Sequence, residues 1–136
     1  MPARILIVDD HQLAREGLKA VLSADGFEIV AEAACGEDAV TLTSQLVPDV
    51  VLMDVRLGPG IDGLEATRRI AALGLPTRVL VLSLHEMPAY VREALAVATV
   101  MSVTGSFDHR AIDGADGAQL MQAFKGLVEQ PLGLVA

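Results

Sequence analysis

The sequence predicts a three-layer α/β domain built on a doubly wound, parallel, five-stranded sheet. Three observations predict it. Five short apolar runs alternate with five segments of helical period, the order that gives parallel pairing and right-handed crossovers. The first, third and fourth runs are apolar nearly throughout, as strands covered on both faces are. With 136 residues, 52% of them hydrophobic, the chain can bury one core and lies far from the composition of disordered chains.

The elements follow in chain order. Arg4 to Val8 is a strand that ends at Asp9. His11 to Asp25 has helical period, with Leu13, Leu18, Val21 and Leu22 expected on the inner face and Gly26 closing it. Phe27 to Ala33 alternates as a second strand. Gly36 to Leu46 is a second helix, with Ala39, Leu42 or Thr43, and Leu46 inward, and Pro48 bars its continuation. Asp49 to Met53 is a third strand ending at Asp54. Leu64 to Leu73 is a third helix, inward at Leu64, Thr67, Ile70 and Leu73, and stopped by Gly74 and Pro76. Arg78 to Leu82 is a fourth strand ending at Ser83. Pro88 to Ala98 and Gln119 to Val128 read as the fourth and fifth helices. Between them the fifth strand has two candidates, Val100 to Val103 and Arg110 to Asp113. Residues 1–130 are expected to form the domain, with 131–136 as a tail.

Composition removes several functions. Ten basic residues against 18 acidic ones give a net charge of −8, which argues against a domain that grips phosphate backbones. The longest weakly polar stretch, Ala94 to Val103, is about half the roughly 20 residues of a membrane span, so no membrane association is expected. The single cysteine, Cys35, cannot form an internal disulfide, which fits a reducing, cytoplasmic setting. The three histidines have no ligand spacing among themselves or with Cys35, which argues against a built-in zinc site.

The chemistry sits at the strand ends. Ligands of doubly wound sheets bind outside the carboxyl ends of the strands, at the reversal of strand order. That rule selects Asp9, Asp10, Asp54 and Ser83. Each alone is unremarkable, since acids before helices and after strands often serve as caps and turns. Together, three carboxylates in one cleft repel one another unless a hard cation joins them, and Mg²⁺ suits oxygen ligands of this kind. A carboxylate can also attack phosphorus to give an acyl phosphate, and a hydroxyl at Ser83 can then donate to a phosphoryl oxygen.

These segments resemble the receiver domain of two-component response regulators. Ile7 to Leu18, Pro48 to Arg56, Asp62 to Arg69, Val79 to Glu86 and Tyr90 to Leu95 carry the likeness. Within the family they are most similar to the branch with a LuxR-type helix-turn-helix output domain. The likeness is strong over about residues 4–96 and weak beyond. It implies a flavodoxin-like strand order, 2-1-3-4-5. It implies that Asp54 is the phospho-acceptor, loaded by a sensor histidine kinase. It implies that Mg²⁺ is held by Asp9 or Asp10 (Asp10 directly, Asp9 through water), by Asp54 and by the backbone carbonyl of Arg56. Ser83 stands where the family has the hydroxyl that follows the phosphoryl group. A homodimer and a transcriptional output are further implications. DNA contact belongs to sequence outside this chain, and no enzymatic activity is expected beyond self-phosphorylation from a donor and slow acyl-phosphate loss.

Two departures stand out. The family lysine at the end of the fifth strand is replaced by Gly105, or by Gly114 if Arg110 to Asp113 is the strand, and the chain's only lysines are Lys19 and Lys125. The neighbouring switch aromatic is absent too, with Ser102 in its place. This pattern carries a second expectation, a receiver that works without phosphorylation as a dimerisation or protein-binding module. The other departure is the segment Leu57 to Gly63, one residue longer than the family loop. Its glycines also spell G-x-G-x-x-G, a dinucleotide-cradle pattern, but Pro59 removes a backbone donor there, so an extended receiver loop is the expectation. An altered or disordered signalling face is expected over 99–117.

Overall fold

The protein is described by a computed structural model over residues 2–82 and the backbone of residues 99 and 100. The elements are β1 (Arg4–Val8), α1 (Gln12–Ala24), β2 (Glu28–Ala33), α2 (Gly36–Leu46), β3 (Val50–Asp54), α3 (Gly63–Ala72), β4 (Arg78–Leu82) and β5 (Thr99–Val100). The expected fourth and fifth helices, Ser83, Arg110 to Asp113, Gly105 and Gly114 lie outside the described residues.

The sheet has five strands in the order β2-β1-β3-β4-β5, and every described pairing is parallel. This is the expected doubly wound order. The place beside β4 is taken by Thr99 and Val100, paired with Leu80 and Val81, within a residue of the first candidate window. One register shift, between Ile5 and Leu6 on β1, skips Val30 on β2.

Period-2 alternation sends successive residues of the central strands to opposite faces. On one face Ile5, Ile7, Val50, Leu52, Leu80 and Leu82 pack against Leu18 and Leu22 of α1. On the other, Leu6, Val8, Val51, Met53, Val79 and Val81 pack against Ala39 of α2 and Ala66 and Ile70 of α3. Both faces are therefore covered, which accounts for the uninterrupted apolar runs.

Two inward assignments need correction. Leu13 is 60% exposed, and Ala14 takes its place in the buried stripe with Leu18 and Leu22. A helix returns to the same face at i−4, so the stripe through Leu22 and Leu18 reaches residue 14 rather than 13. Leu73 is the C-cap of α3 and is exposed, because the helix ends at Ala72. On α2, Ala39 is buried as expected, and of the two candidates one turn on Thr43 is the buried one, while Leu42 and Leu46 are half-buried. Thr43 and Thr67 each donate a hydroxyl hydrogen bond to the carbonyl one turn back, Ala39 and Gly63, both at 2.7 Å. Their burial thus leaves no unpaired hydroxyl proton.

The C-terminus of α2 is fixed from β1. The Arg4 guanidinium donates to the carbonyls of Leu46 (2.9 Å) and Val47 (3.2 Å), two of the carbonyls a helix end leaves open. Val47 takes the left-handed conformation there, with φ 45°. A β-branched residue is unfavourable in that region, where glycine is at ease. Val47→Gly is expected to raise stability by about 0.5–1 kcal/mol, read as a higher urea midpoint at unchanged slope.

Candidate functional site

The reversal of strand order falls between β1 and β3, and each of these strands delivers an acid to the same end of the sheet. Asp9 is the residue after β1, held by its amide donating to the Ala33 carbonyl (3.1 Å). Asp54 is the last residue of β3, one position further into the strand than expected. Both are buried, at 3% and 6% exposure. Asp10 is exposed at the mouth. Carboxylate oxygens of Asp9, Asp10 and Asp54 and a ring nitrogen of His11 all lie within 4.8 Å of one another.

Backbone hydrogen bonds orient the buried carboxylates. Asp9 Oδ1 accepts from the His11 amide at 2.9 Å, and Asp54 Oδ1 accepts from the Arg56 amide at 3.2 Å. Each is a side chain bonding the amide two residues on, a turn that fixes an acid at the end of a strand. The N-cap of α1 is His11 itself, whose side chain makes no capping hydrogen bond to the helix. Asp9 and Asp10 are therefore not simple helix caps.

Arg15 supports the arrangement from α1. Its Nη1 donates to the Asp9 carbonyl at 2.7 Å and its Nε pairs with Glu32 at 3.3 Å. Lys19 Nζ lies 3.7 Å from the same Glu32. These two cations are thus engaged along β2, beside the acid cluster rather than within it. An open groove of about 490 Å³ runs over them, lined also by Gln12, Glu16 and Asp38.

The remaining wall is the loop from Leu57 to Gly63. Gly63 opens α3 so close to β3 that a Cβ there would overlap the Asp54 carbonyl oxygen, and its amide donates to the Val55 carbonyl at 3.0 Å. Asp62 caps α3 by accepting from the Glu65 amide at 2.8 Å. Gly60 has φ 100°, and the Glu37 carboxylate sits against it while accepting from the Ile61 amide at 3.2 Å. A carboxylate on this loop repels a pyrophosphate, which supports reading the three glycines as a backbone device rather than a dinucleotide cradle.

Of the residues selected from sequence, Asp9, Asp10 and Asp54 come together. Arg56 follows them with its amide on Asp54. Ser83, Gly105 and Gly114 lie outside the described residues. Sequence reasoning missed the part of Arg15, whose only signal was its position one turn after His11. Beside the acids stands His11, its side chain 61% exposed, with Nδ1 2.9 Å from Asp10 Oδ1 and 3.4 Å from Asp9 Oδ1.

The donor set fits Mg²⁺. Around a cation with oxygens at about 2.1 Å, neighbouring ligands are about 3 Å apart and opposite ones about 4.2 Å, so a cluster spanning 4.8 Å closes on it with small side-chain movements. Buried like charges supply the electrostatic reason for a cation to enter.

Fold and site together define a class: a doubly wound α/β receiver of ligands at its topological switch point, with a carboxylate cluster suited to a hard divalent cation. The sequence profile of the response regulator receiver domain matches residues 5–115, and the chain belongs to that family. It is 45% identical over 93 residues to the transcriptional regulatory protein DegU of Brevibacillus brevis, a match covering 68% of this chain and 39% of that protein. It is 45% identical over 94 residues to the response regulator UvrY of Escherichia coli (strain K12), covering 66% and 43%. The chain thus matches about two-fifths of the length of these curated relatives. Among solved structures, a LuxR-family two-component response regulator from Aurantimonas sp. SI85-9A1 superposes with a TM-score of 0.77 at 35% identity, covering 94% of this chain and 86% of that one. The chain is a receiver domain of a two-component response regulator, related to LuxR-family regulators. No helix among the described residues is long and apolar enough to cross a membrane.

Proposed function

We propose that the chain accepts a phosphoryl group on Asp54 from a sensor histidine kinase. The observation that carries this reading is the placement of Asp54 at the end of β3, buried, oriented by the Arg56 amide and within 4.8 Å of Asp9, Asp10 and His11 donor atoms. In the transfer, an Asp54 carboxylate oxygen forms a bond to phosphorus as the phosphorus–nitrogen bond of the donor phosphohistidine breaks. The imidazole leaves with the electron pair and takes a proton, and Asp54 is left as an acyl phosphate. Asp9, Asp10, Asp54 and the Arg56 carbonyl would hold Mg²⁺, which supplies charge neutralisation for the carboxylates and the phosphoryl oxygens. Ser83 would donate to a phosphoryl oxygen. The chain's own chemistry is limited to this self-phosphorylation and a slow loss of the acyl phosphate to water.

The receiver is assigned to residues 1–130, with 131–136 as a tail, and its setting to the cytoplasm, on the lone cysteine and the kinase partner. The output we propose is transcriptional, following the names of the relatives. The net charge of −8 supports DNA contact by a unit other than this one.

Incubation of the chain with acetyl phosphate and Mg²⁺, followed by intact-mass measurement, is expected to show one phosphoryl adduct that does not form when the metal is chelated. No adduct with acetyl phosphate, phosphoramidate or a phosphorylated kinase domain overturns the reading.

Leu13 gives the kinase a foothold. It is 60% exposed in the first turn of α1, two residues from His11 at the mouth of the cleft. An exposed large apolar side chain beside the point of entry fits the surface that seats the donor. Leu13→Asp is expected to slow transfer from a phosphorylated kinase about tenfold, roughly 1.4 kcal/mol, while uptake from acetyl phosphate stays unchanged.

A second reading rests on the missing lysine. Lys19, the one lysine among the described residues, is engaged with Glu32, and the family resemblance puts Gly105, or Gly114, at the family lysine's place. On this reading the chain is a phosphorylation-independent dimerisation or protein-binding module. Sedimentation with and without beryllofluoride separates the two, since only the phosphorylated receiver is expected to change its association.

A further inference from the structure

We infer that His11 is a nitrogen ligand of the cation site and shifts its selectivity from Mg²⁺ toward borderline 3d cations such as Co²⁺. The inference rests on the reading that Asp9, Asp10 and Asp54 hold a divalent cation, and it adds a donor of different chemistry to them.

The geometry has three parts. His11 Nδ1 is 2.9 Å from Asp10 Oδ1 and 3.4 Å from Asp9 Oδ1. Neighbouring ligands of an octahedral cation with bonds of about 2.1 Å stand about 3 Å apart, so the ring nitrogen is already at the spacing of an adjacent ligand. Its reach to the whole set is also right, because the nitrogen and all three carboxylates fall within 4.8 Å. Finally, the backbone holds the residue there. The His11 amide donates to Asp9 Oδ1 at 2.9 Å, the His11 carbonyl accepts the Arg15 amide at 3.1 Å, and φ −97° and ψ 117° are ordinary extended values. The ring therefore hangs over the mouth from a fixed main chain. Being 61% exposed, it can turn by the few tenths of an ångström that closure on a cation asks.

The chemistry gives the direction. In its contact with the Asp10 carboxylate Nδ1 carries a proton, which a bound cation displaces; the neutral ring with its proton on Nε2 then presents a lone pair at Nδ1. Oxygen-only sites suit Mg²⁺, whereas imidazole suits the later 3d cations, whose affinities rise along the row. Any carboxylate cluster binds Co²⁺ more tightly than Mg²⁺, so the quantity that isolates His11 is the change in the Co²⁺ to Mg²⁺ affinity ratio when the ring is removed.

The experiment uses untagged chain, calorimetric titration with Co²⁺ and with Mg²⁺, and pulsed electron paramagnetic resonance of the Mn²⁺-loaded protein. The wild type is expected to show a nitrogen coupling to Mn²⁺. His11→Ala and His11→Gln are expected to lose that coupling and to lower the Co²⁺ to Mg²⁺ ratio about tenfold or more, with Mg²⁺ affinity kept within about twofold. A wild type without nitrogen coupling, a coupling that persists in both variants, or an unchanged ratio overturns the inference. Asp9→Asn tests the underlying site separately. If Mg²⁺ binding is present in wild type and lost in Asp9→Asn, the cation site stands whatever His11 does. If Mg²⁺ binding is insensitive to Asp9, both readings fall.

Discussion

Asp54→Asn is expected to abolish phosphoryl uptake while leaving a folded protein that is slightly more stable without metal. The amide keeps the size of the side chain and an oxygen for the Arg56 amide, so the turn at the end of β3 survives. It lacks the charged oxygen that attacks phosphorus, so the adduct expected of wild type disappears rather than diminishes. It also removes one of three carboxylates that share a space of 4.8 Å. Relief of that repulsion is expected to add about 1 kcal/mol in metal-free buffer, the usual sense of a change that trades function for stability. The order reverses when Mg²⁺ is present. At about 100 times its dissociation constant a ligand adds about 2.7 kcal/mol to the state that binds it, and most of that gain is expected to be lost in the variant. Thermal melts of both proteins with and without Mg²⁺ check the crossing. A variant less stable than wild type in chelator counts against mutual repulsion as the reason the site calls for a cation.

The largest structural effect is expected at Gly63. Its Cα faces the last residue of β3 so closely that a methyl group would overlap the Asp54 carbonyl oxygen and come within 2.9 Å of Val55 Cα. Neither neighbour can yield, since both belong to the central strand and the turn after it. Gly63 also receives the Thr67 hydroxyl on its carbonyl and gives its amide to Val55, so α3 cannot slide away without breaking both bonds. Gly63→Ala is expected to cost about 3 kcal/mol, at the upper end for overpacking a tight contact. For a chain of this length that is a fall in melting temperature of about 10 °C. Because the displaced atom belongs to the backbone of the proposed acceptor residue, phosphoryl uptake is expected to fall as well. A urea midpoint close to wild type would show that the helix N-terminus is not pinned as described.

Gly63 also shows where sequence reading succeeds and where it stops. The order of strands and helices followed from periodicity, because strands covered on both faces leave long apolar runs that have no other soluble use. The acids followed from the strand ends. What the pattern could not carry was anything decided by a contact between elements. The glycines of the β3–α3 loop resemble a phosphate cradle in one dimension. In three, Gly63 is small because β3 is beside it, and Gly60 is small because Glu37 of α2 is beside it. His11 is largely exposed, and neither sequence nor exposure tells which way its ring nitrogen points. Leu13 was set inward because leucine usually is. The stripe is phased by Leu18 and Leu22, and alanine at 14 is what lets α1 lie close to the sheet. Thr43 stood level with Leu42 for a related reason, since a threonine is buried readily only when its hydroxyl bonds the helix behind it, as those of Thr43 and Thr67 do.

The most direct test is to find the residue that carries the phosphoryl group. Wild-type chain is loaded from acetyl phosphate with Mg²⁺, the acyl phosphate is trapped by borohydride reduction, and the peptides are mapped by mass. The label is expected on Asp54 and nowhere else. A label on Asp9, Asp10 or a histidine, or a chain that takes up no phosphoryl group at all, would contradict the assignment of Asp54 as the acceptor.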